Sequence, residues 1–263
     1  MNKILSAAIF GVTGLIGLFA MIYPFIEPFF GDIARGETAV SEPFYSQPLL
    51  SGLILGICMV ILLIELQGRN SDAKVVASLG VLVAMASVLR FLETAVPGPG
   101  GFSPIFVPII LAGYVFGARY GFLMGAITLL TSALITAGIG PWLPYQMLVA
   151  GWIGMSAGWL PHPDSSRAQI GMLIIFGLIW GLLYGLFLNL FLWPFVTGPA
   201  LETSGSFNLN EILVKYGAFY LSTSFAWDLV RGFGNAVLIL AIGLPAVRIM
   251  ARFRDRISFR VAT

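Results

Sequence analysis

The sequence predicts an all-α integral membrane protein, and three observations carry that reading. Hydrophobic residues fill 58% of the 263 positions and charged residues only 10%, whereas a soluble domain carries roughly 25% charge. Mean hydropathy is +0.94. The apolar residues fall in runs near the ~20 residues needed to cross a bilayer, separated by short segments rich in Gly, Pro and charge. Lipid solvates such a surface and water does not. Backbone N–H and C=O groups in lipid must bond within their own segment, so runs of this length are helices.

Eight runs qualify: 4–23, 49–66, 73–95, 104–118, 119–137, 143–160, 168–193 and 212–247. The first follows Met1-Asn2-Lys3 and exceeds the ~7–15 apolar residues of a secretory signal core. No small-x-small cleavage site follows at Met21-Ile22-Tyr23, so the run reads as a retained span. The fourth run is short. The last would reach about 54 Å at ~1.5 Å per residue, too far for one crossing. Its first turns, 212–222, are therefore expected at the membrane surface. Residues 24–48 form a loop rich in Pro, Phe and acids, and 67–72 (Gln-Gly-Arg-Asn-Ser-Asp) a polar hairpin. This punctuation divides the chain into a two-helix appendage, 1–72, and a six-helix core with a basic tail, 73–263.

Orientation follows from the cations. With the N-terminus inside, the cytoplasmic side collects Lys3, Arg69, Lys74, Arg119, Arg167, Arg248, Arg252, Arg254, Arg256 and Arg260. The other side holds Arg35 and Lys215 with most of the acids, Glu27, Asp32, Glu37, Glu42, Glu202 and Glu211. That asymmetry is the positive-inside pattern, and it predicts both termini in the cytoplasm.

Composition also narrows the chemistry. A net charge of +2 gives no reason to expect a nucleic-acid partner. One cysteine, Cys58, permits no internal disulfide and no thiolate cluster. One histidine, His162 in a short polar connection, cannot supply bis-histidine haem ligation or a usual zinc site. No metal or other cofactor is expected. There is no Gly-x-x-x-x-Gly-Lys-Ser/Thr phosphate loop, no Gly-x-Ser-x-Gly elbow and no His-Glu-x-x-His. The chain therefore does not hydrolyse ATP itself.

Small residues recur every four positions at Gly113, Gly117, Gly121 and Gly125, at Gly154 and Gly158, and at Gly177, Gly181 and Gly185. Glycine at i, i+4 lets helix backbones approach closely in lipid, so these ladders are expected to pack the bundle. Ala73, Ala77, Gly80 and Ala84 form a smoother stripe along the third span. It serves either internal packing or the docking of another subunit's helix.

The last span carries the strongest polar signal. Ser224, Asp228, Arg231 and Asn235 follow i, i+4, i+7, i+11 and share one face. Charges inside a membrane cost a few kcal/mol each, and opposite charges at i, i+3 lower that cost by pairing. A structural ion pair is one reading; polar residues over three turns favour the other, a polar cavity reached from outside. Arg90 and Glu93, also at i, i+3, sit at the outer end of the third span, where Arg90 can equally snorkel to the interface. The following Val96-Pro-Gly-Pro-Gly-Gly101 cannot be helical and suits a lid. In Gly138-Ile-Gly-Pro-Trp-Leu-Pro-Tyr-Gln-Met147, Trp142 and Tyr145 have the character of interfacial belt residues, and Gln146 is expected to point inward.

The six-span core from about Ala73 to Arg252 resembles the substrate-binding S-components of energy-coupling factor (ECF) vitamin transporters. The features that carry the likeness are Ala73-x-x-x-Ala77, the Arg90 helix end before Pro-Gly-Pro-Gly, Gly140-Pro-Trp-Leu-Pro-Tyr-Gln-Met147, and Asp228-Leu-Val-Arg231 with Asn235. The Gly-Pro-Trp segment is most similar to the branch assigned to cobalamin-type substrates. The resemblance implies a subunit of the bacterial plasma membrane that binds a vitamin or related micronutrient from outside. It implies partnership with a transmembrane T-component and two ABC ATPases, which supply the energy. It further implies docking of the T-component on Ala73, Ala77 and Ala84, and polar ligand contacts from Ser224, Asp228, Arg231, Asn235 and Gln146. Trp142, Tyr145 and Trp227 would stack on the ligand, with Arg90 and Glu93 near the lid. The N-terminal pair of spans departs from the usual six-span core. The competing reading is a membrane-embedded lipid-modifying enzyme that uses Asp228 and Arg231 around a polar head group.

Overall fold

The computed structural model describes residues 11–22, 53–54, 56–57, 73–96, 99–197 and 209–258. Among these the chain is helical throughout, with no strand. The loop expected at 24–48, most of the second expected span and the hairpin expected at 67–72 lie outside the described residues. The helices are α1 (Gly11–Ile22), α2 (Ala73–Ala95), α3 (Phe106–Phe116), α4 (Ala118–Thr136), α5 (Leu143–Ala157), α6 (Ser166–Thr197), α7 (Leu209–Thr223), α8 (Phe225–Leu238) and α9 (Leu244–Ser258). A π turn, Ile239–Gly243, joins α8 to α9.

Four stretches are long and apolar enough to cross a membrane: Ala73–Ala95, Ala118–Thr136, Ser166–Trp193 and Phe225–Arg256. The run expected at 104–118 is interrupted. Its helix has 11 residues, about 17 Å at ~1.5 Å rise, which is short of a full crossing. Gly117 causes the break: its φ of 97° lies where a side chain is strained, and it turns the chain directly into α4. The long run 212–247 is also broken, at Ser224, and α7 precedes the break as a separate helix. The hydroxyls of Ser222 and Thr223 both donate back to the carbonyl of Phe219, at 3.0 and 2.7 Å. Such bonds compete with the helix ladder and loosen it. The π turn has a different cause. Pro245 brings no N–H and crowds the carbonyl four residues earlier, so the ladder widens just before it.

The glycine ladders pack the interior, as the spacing predicts, except at Gly117, which forms the break and has nothing within 4 Å of an added Cβ. A Cβ on Gly113 or Gly121 would overlap the carbonyl of Gly154, and one on Gly125 the carbonyl of Ala150. The backbones of α3, α4 and α5 therefore touch without side chains between them. On the other side of the bundle, Gly181 of α6 meets the backbone of Gly232 in α8. Around these contacts lie Ile109, Ile110, Met124, Met147 and Leu148, all essentially fully buried. The α1 helix rests on α5, where Gly14 faces Trp152 and Gly17 faces Leu148, and Met21 is buried.

Hydrogen bonds place one set of helix ends together. Ser78 near the start of α2 meets the Tyr120 hydroxyl at the start of α4, 3.1 Å away. Gln169 at the start of α6 donates to the Tyr114 hydroxyl at 3.0 Å, and Arg254 of α9 donates to the Val115 carbonyl at 3.0 Å. The His162 ring stacks on Tyr114 with centroids 4.3 Å apart. This end gathers Lys74, Arg119, Arg167, Arg248, Arg252, Arg254 and Arg256, with only Asp164 and Asp255 as acids among the described residues.

Candidate functional site

The opposite end of the bundle holds a cavity of about 340 Å³. Its walls come from the C-terminal end of α2 (Arg90, Glu93), the following loop (Gly101, Ser103, Ile105), and Phe106 of α3. Leu129 of α4, Gln146 of α5, Tyr184 and Leu188 of α6, and Trp227 and Arg231 of α8 complete them. Every long helix of the core thus contributes a residue.

Two ion pairs organise the polar side of this chamber. Arg90 pairs with Glu93 at 2.5 Å, and the second carboxylate oxygen of Glu93 accepts from the Ser103 hydroxyl at 2.8 Å. Ser103 lies in the loop after α2, so this bond ties the loop down beside the cavity. The second pair is Arg231 with Asp228, one turn apart on α8. Arg231 lies against the Tyr184 and Phe106 rings, its guanidinium carbon 5.1 and 5.9 Å from their centroids. Those two rings meet edge to face at 4.6 Å. Cation–ring contact of this kind stabilises a desolvated guanidinium by roughly 1–2 kcal/mol.

The polar stripe of α8 is met by the glycine ladder of α6. The Asn235 side-chain amide donates to the Gly177 carbonyl at 3.1 Å, and Arg231 reaches the Gly181 carbonyl at 3.4 Å. The Asp228 carboxylate occupies the space that a side chain at Gly185 would fill. The ladder leaves backbone carbonyls bare, and Asn235 and Arg231 of the stripe, one helical turn apart, satisfy those of Gly177 and Gly181. A hydrogen bond of this sort stabilises by about 1 kcal/mol, more when one partner is charged.

The residues singled out in the sequence fall into two groups. Arg90, Glu93, Gln146, Trp227 and Arg231 line the cavity. Asp228 and Asn235, each 1% exposed, lie behind the wall in the α6–α8 interface. Tyr145 is also fully buried away from the cavity and stacks on Phe191 at 4.3 Å. Trp142 stands outside, 46% exposed, with its indole N–H on the Gly138 carbonyl. Ser224 sits at the break before α8, its hydroxyl 3.4 Å from that of Thr223. The lining residues that the sequence did not mark are Ser103, Ile105, Phe106, Leu129, Tyr184 and Leu188. Tyr184 alone left a trace, as a hydroxyl-bearing residue between Gly181 and Gly185 in an otherwise apolar run.

The family model of the ECF transporter, substrate-specific component, matches residues 74–243. The chain belongs to that family. No curated protein and no solved structure matches it. The match opens at the start of α2 and closes on the last residue of the π turn, so it takes in the whole cavity and leaves out α1 and α9. ECF substrate-specific components are transporter parts rather than enzymes, and they work in association with a T-component and ATPases. The absence of a phosphate loop accords with energy that comes from a partner. Among the described residues no group of His, Cys, Asp and Glu is arranged to hold a metal ion.

The loop over the cavity of this ECF component offers a direct check on its architecture. Gly101 has a φ of 86°, and a Cβ there would collide with the Trp227 backbone. The variant Gly101→Val is expected to cost about 1–2 kcal/mol locally and to lift the loop from α8. Hydrogen exchange reads the outcome at the Phe102 amide, which donates to the Pro99 carbonyl at 3.1 Å. Faster exchange there is expected; protection equal to wild type would show that the loop does not depend on this contact.

Proposed function

We propose that the cavity bounded by Arg90, Glu93, Gln146, Trp227 and Arg231 captures a vitamin or related micronutrient from outside the cell. The chain then delivers it inward through a T-component driven by two ABC ATPases. The observation that carries this reading is the cavity itself, drawn from all the long helices of an ECF substrate-specific component and lined by two arginines inside an apolar bundle. Polar groups at such depth cost several kcal/mol when they serve no partner, so a chamber built from them reads as a ligand site. The cations gathered at the far end favour an orientation with that end, and both termini, in the cytoplasm. The cavity then opens outward. The likeness of Gly140–Met147 to the cobalamin-type branch makes a corrinoid the first compound to test against the chamber.

Docking falls to α2. Ala73, Ala77, Gly80 and Ala84 are exposed, and nothing lies within 4 Å of a Cβ built on Gly80. Small residues on an open helix face allow a second helix to approach closely. The test is Ala77→Trp, co-expressed with a T-component and its ATPases. The variant is expected to fold and bind ligand as wild type while capture of the T-component falls at least tenfold. Undiminished capture would remove this face from the docking surface.

A further inference from the structure

Size, shape and charge of the cavity narrow its occupant further, an argument that rests on the ligand-binding reading above. We infer that the ligand is a small planar molecule of zero net charge that presents a hydrogen-bond acceptor to Arg231, and that a corrinoid is not the substrate.

Volume comes first. At about 340 Å³ the chamber lies at the low end of the ~300–1,000 Å³ that enclose drug-sized ligands. A corrinoid with its nucleotide tail is several times larger than such molecules. The walls do not easily retreat. Gly101 lies on the Trp227 backbone, and Gly234 of α8 is held against the Phe102 ring. Leu129 and Gln146 stand on α4 and α5, whose backbones are already in contact through Gly125 and Ala150.

Shape is set by the rings. Phe106, Tyr184 and Trp227 all contribute to the lining. Aromatic walls favour a flat partner, which stacks or meets them edge-on.

Charge is the sharpest constraint. Among the described residues the charged groups of the lining are Arg90, Glu93 and Arg231. Arg90 is already matched by Glu93, and Arg231 by Asp228 behind the wall. The chamber with its backing is therefore neutral. A ligand with net charge would leave water without a counter-charge to meet it, so its desolvation would go uncompensated. The pairing does not exhaust the hydrogen-bonding capacity, however. Nη1 of Arg231 serves Asp228 and the Gly181 carbonyl, whereas Nη2 makes no hydrogen bond and, unlike the enclosed Nε, is accessible on this lining residue. Such a donor stabilises whatever carbonyl or ring-nitrogen acceptor reaches it.

The experiment uses the full chain in lipid nanodiscs. The protein is incubated with an extract of bacterial small molecules, and retained compounds are read by native mass spectrometry; cyanocobalamin is offered separately as a probe. Expected are retention of a neutral planar compound of drug size or less and no stoichiometric binding of cyanocobalamin. Arg231→Lys keeps a cation for Asp228 but lacks the second terminal nitrogen, and should weaken the retained compound about tenfold or more. Stoichiometric cyanocobalamin, or a retained compound with net charge, would overturn this inference and leave the transport reading standing. Failure to retain any compound would also count against it. If the chain in addition fails to assemble with any T-component and ATPase pair, the transport reading falls too.

Discussion

Arg231→Ala is expected to lower the stability of the bundle by about 3–5 kcal/mol and to abolish ligand binding. The first effect arises from Asp228. Its side chain is 2% exposed, and its second carboxylate oxygen has no hydrogen-bond partner. Removing Arg231 leaves that carboxylate buried with its counter-charge gone, the situation in which breaking a buried pair is most destabilising. The double variant Asp228→Asn/Arg231→Met separates the two roles. It removes both charges together while keeping the side-chain volumes close, so most of the lost stability should return. Binding should not return, because the donor that faces the cavity is still missing. Thermal unfolding in detergent and ligand retention, measured on all three proteins, give the answer. If Arg231→Ala unfolds at the wild-type temperature, the pair is not a staple between α6 and α8. If the double variant binds normally, Arg231 is not a ligand contact.

This split explains why the polar face of the last span was readable only in part. Residues at i, i+4, i+7 and i+11 share a face, but a face is broad enough to meet two neighbours at once. One edge of the α8 face meets α6 at Gly177 and Gly185, and the other looks into the chamber, with Arg231 reaching the Gly181 carbonyl between them. Nothing in the spacing assigns Asp228 and Asn235 to the first edge and Arg231 to the second, because that depends on which helix lies alongside. The glycine ladder of α6 was visible, and so was the polar stripe. Their correspondence rung by rung was not. Arg90 at the end of its apolar run left two destinations open, the interface and the lid, and the sequence does not choose between them.

Elements were legible where composition alone determines them and obscure where local bonding competes. Length and hydropathy locate α2, α4 and α6 well. The break at Ser224 depends on two hydroxyls bonding back to Phe219, and the end of α3 on one glycine with a positive φ. Both are short-range choices that an apolar run does not announce. Phe106 and Leu129 illustrate a further limit. They are ordinary apolar residues in apolar helices, and only the tertiary arrangement makes them wall rather than core.

Gly154→Val is expected to be the most damaging single substitution in the α3–α5 core, and it links packing to selectivity. Gly154 lies against the backbones of both Gly113 and Gly121, and a Cβ added to it would strike the carbonyl and Cα of Gly121 rather than a movable side chain. Neither neighbour can yield unless the helices part. Overpacking of a well-filled core costs about 1–3 kcal/mol, and valine adds the restricted rotamers of a β-branched residue. Gly217→Ala is the control, because nothing lies within 4 Å of a Cβ there; alanine in that helix should leave stability unchanged or raise it by about 0.5–1 kcal/mol. The parting of α4 from α5 has a second consequence, because these helices carry Leu129 and Gln146 into the cavity wall. Gly154→Ala, the smaller lesion, should widen the chamber while the chain still folds. A close-fitting ligand should then bind several-fold more weakly, and its bulkier analogues should lose less or gain. If Gly154→Ala destabilises the protein and yet leaves the preference for ligand size unaltered, the wall is set by the loop and α8 alone, and the glycine contacts serve only to hold the bundle together.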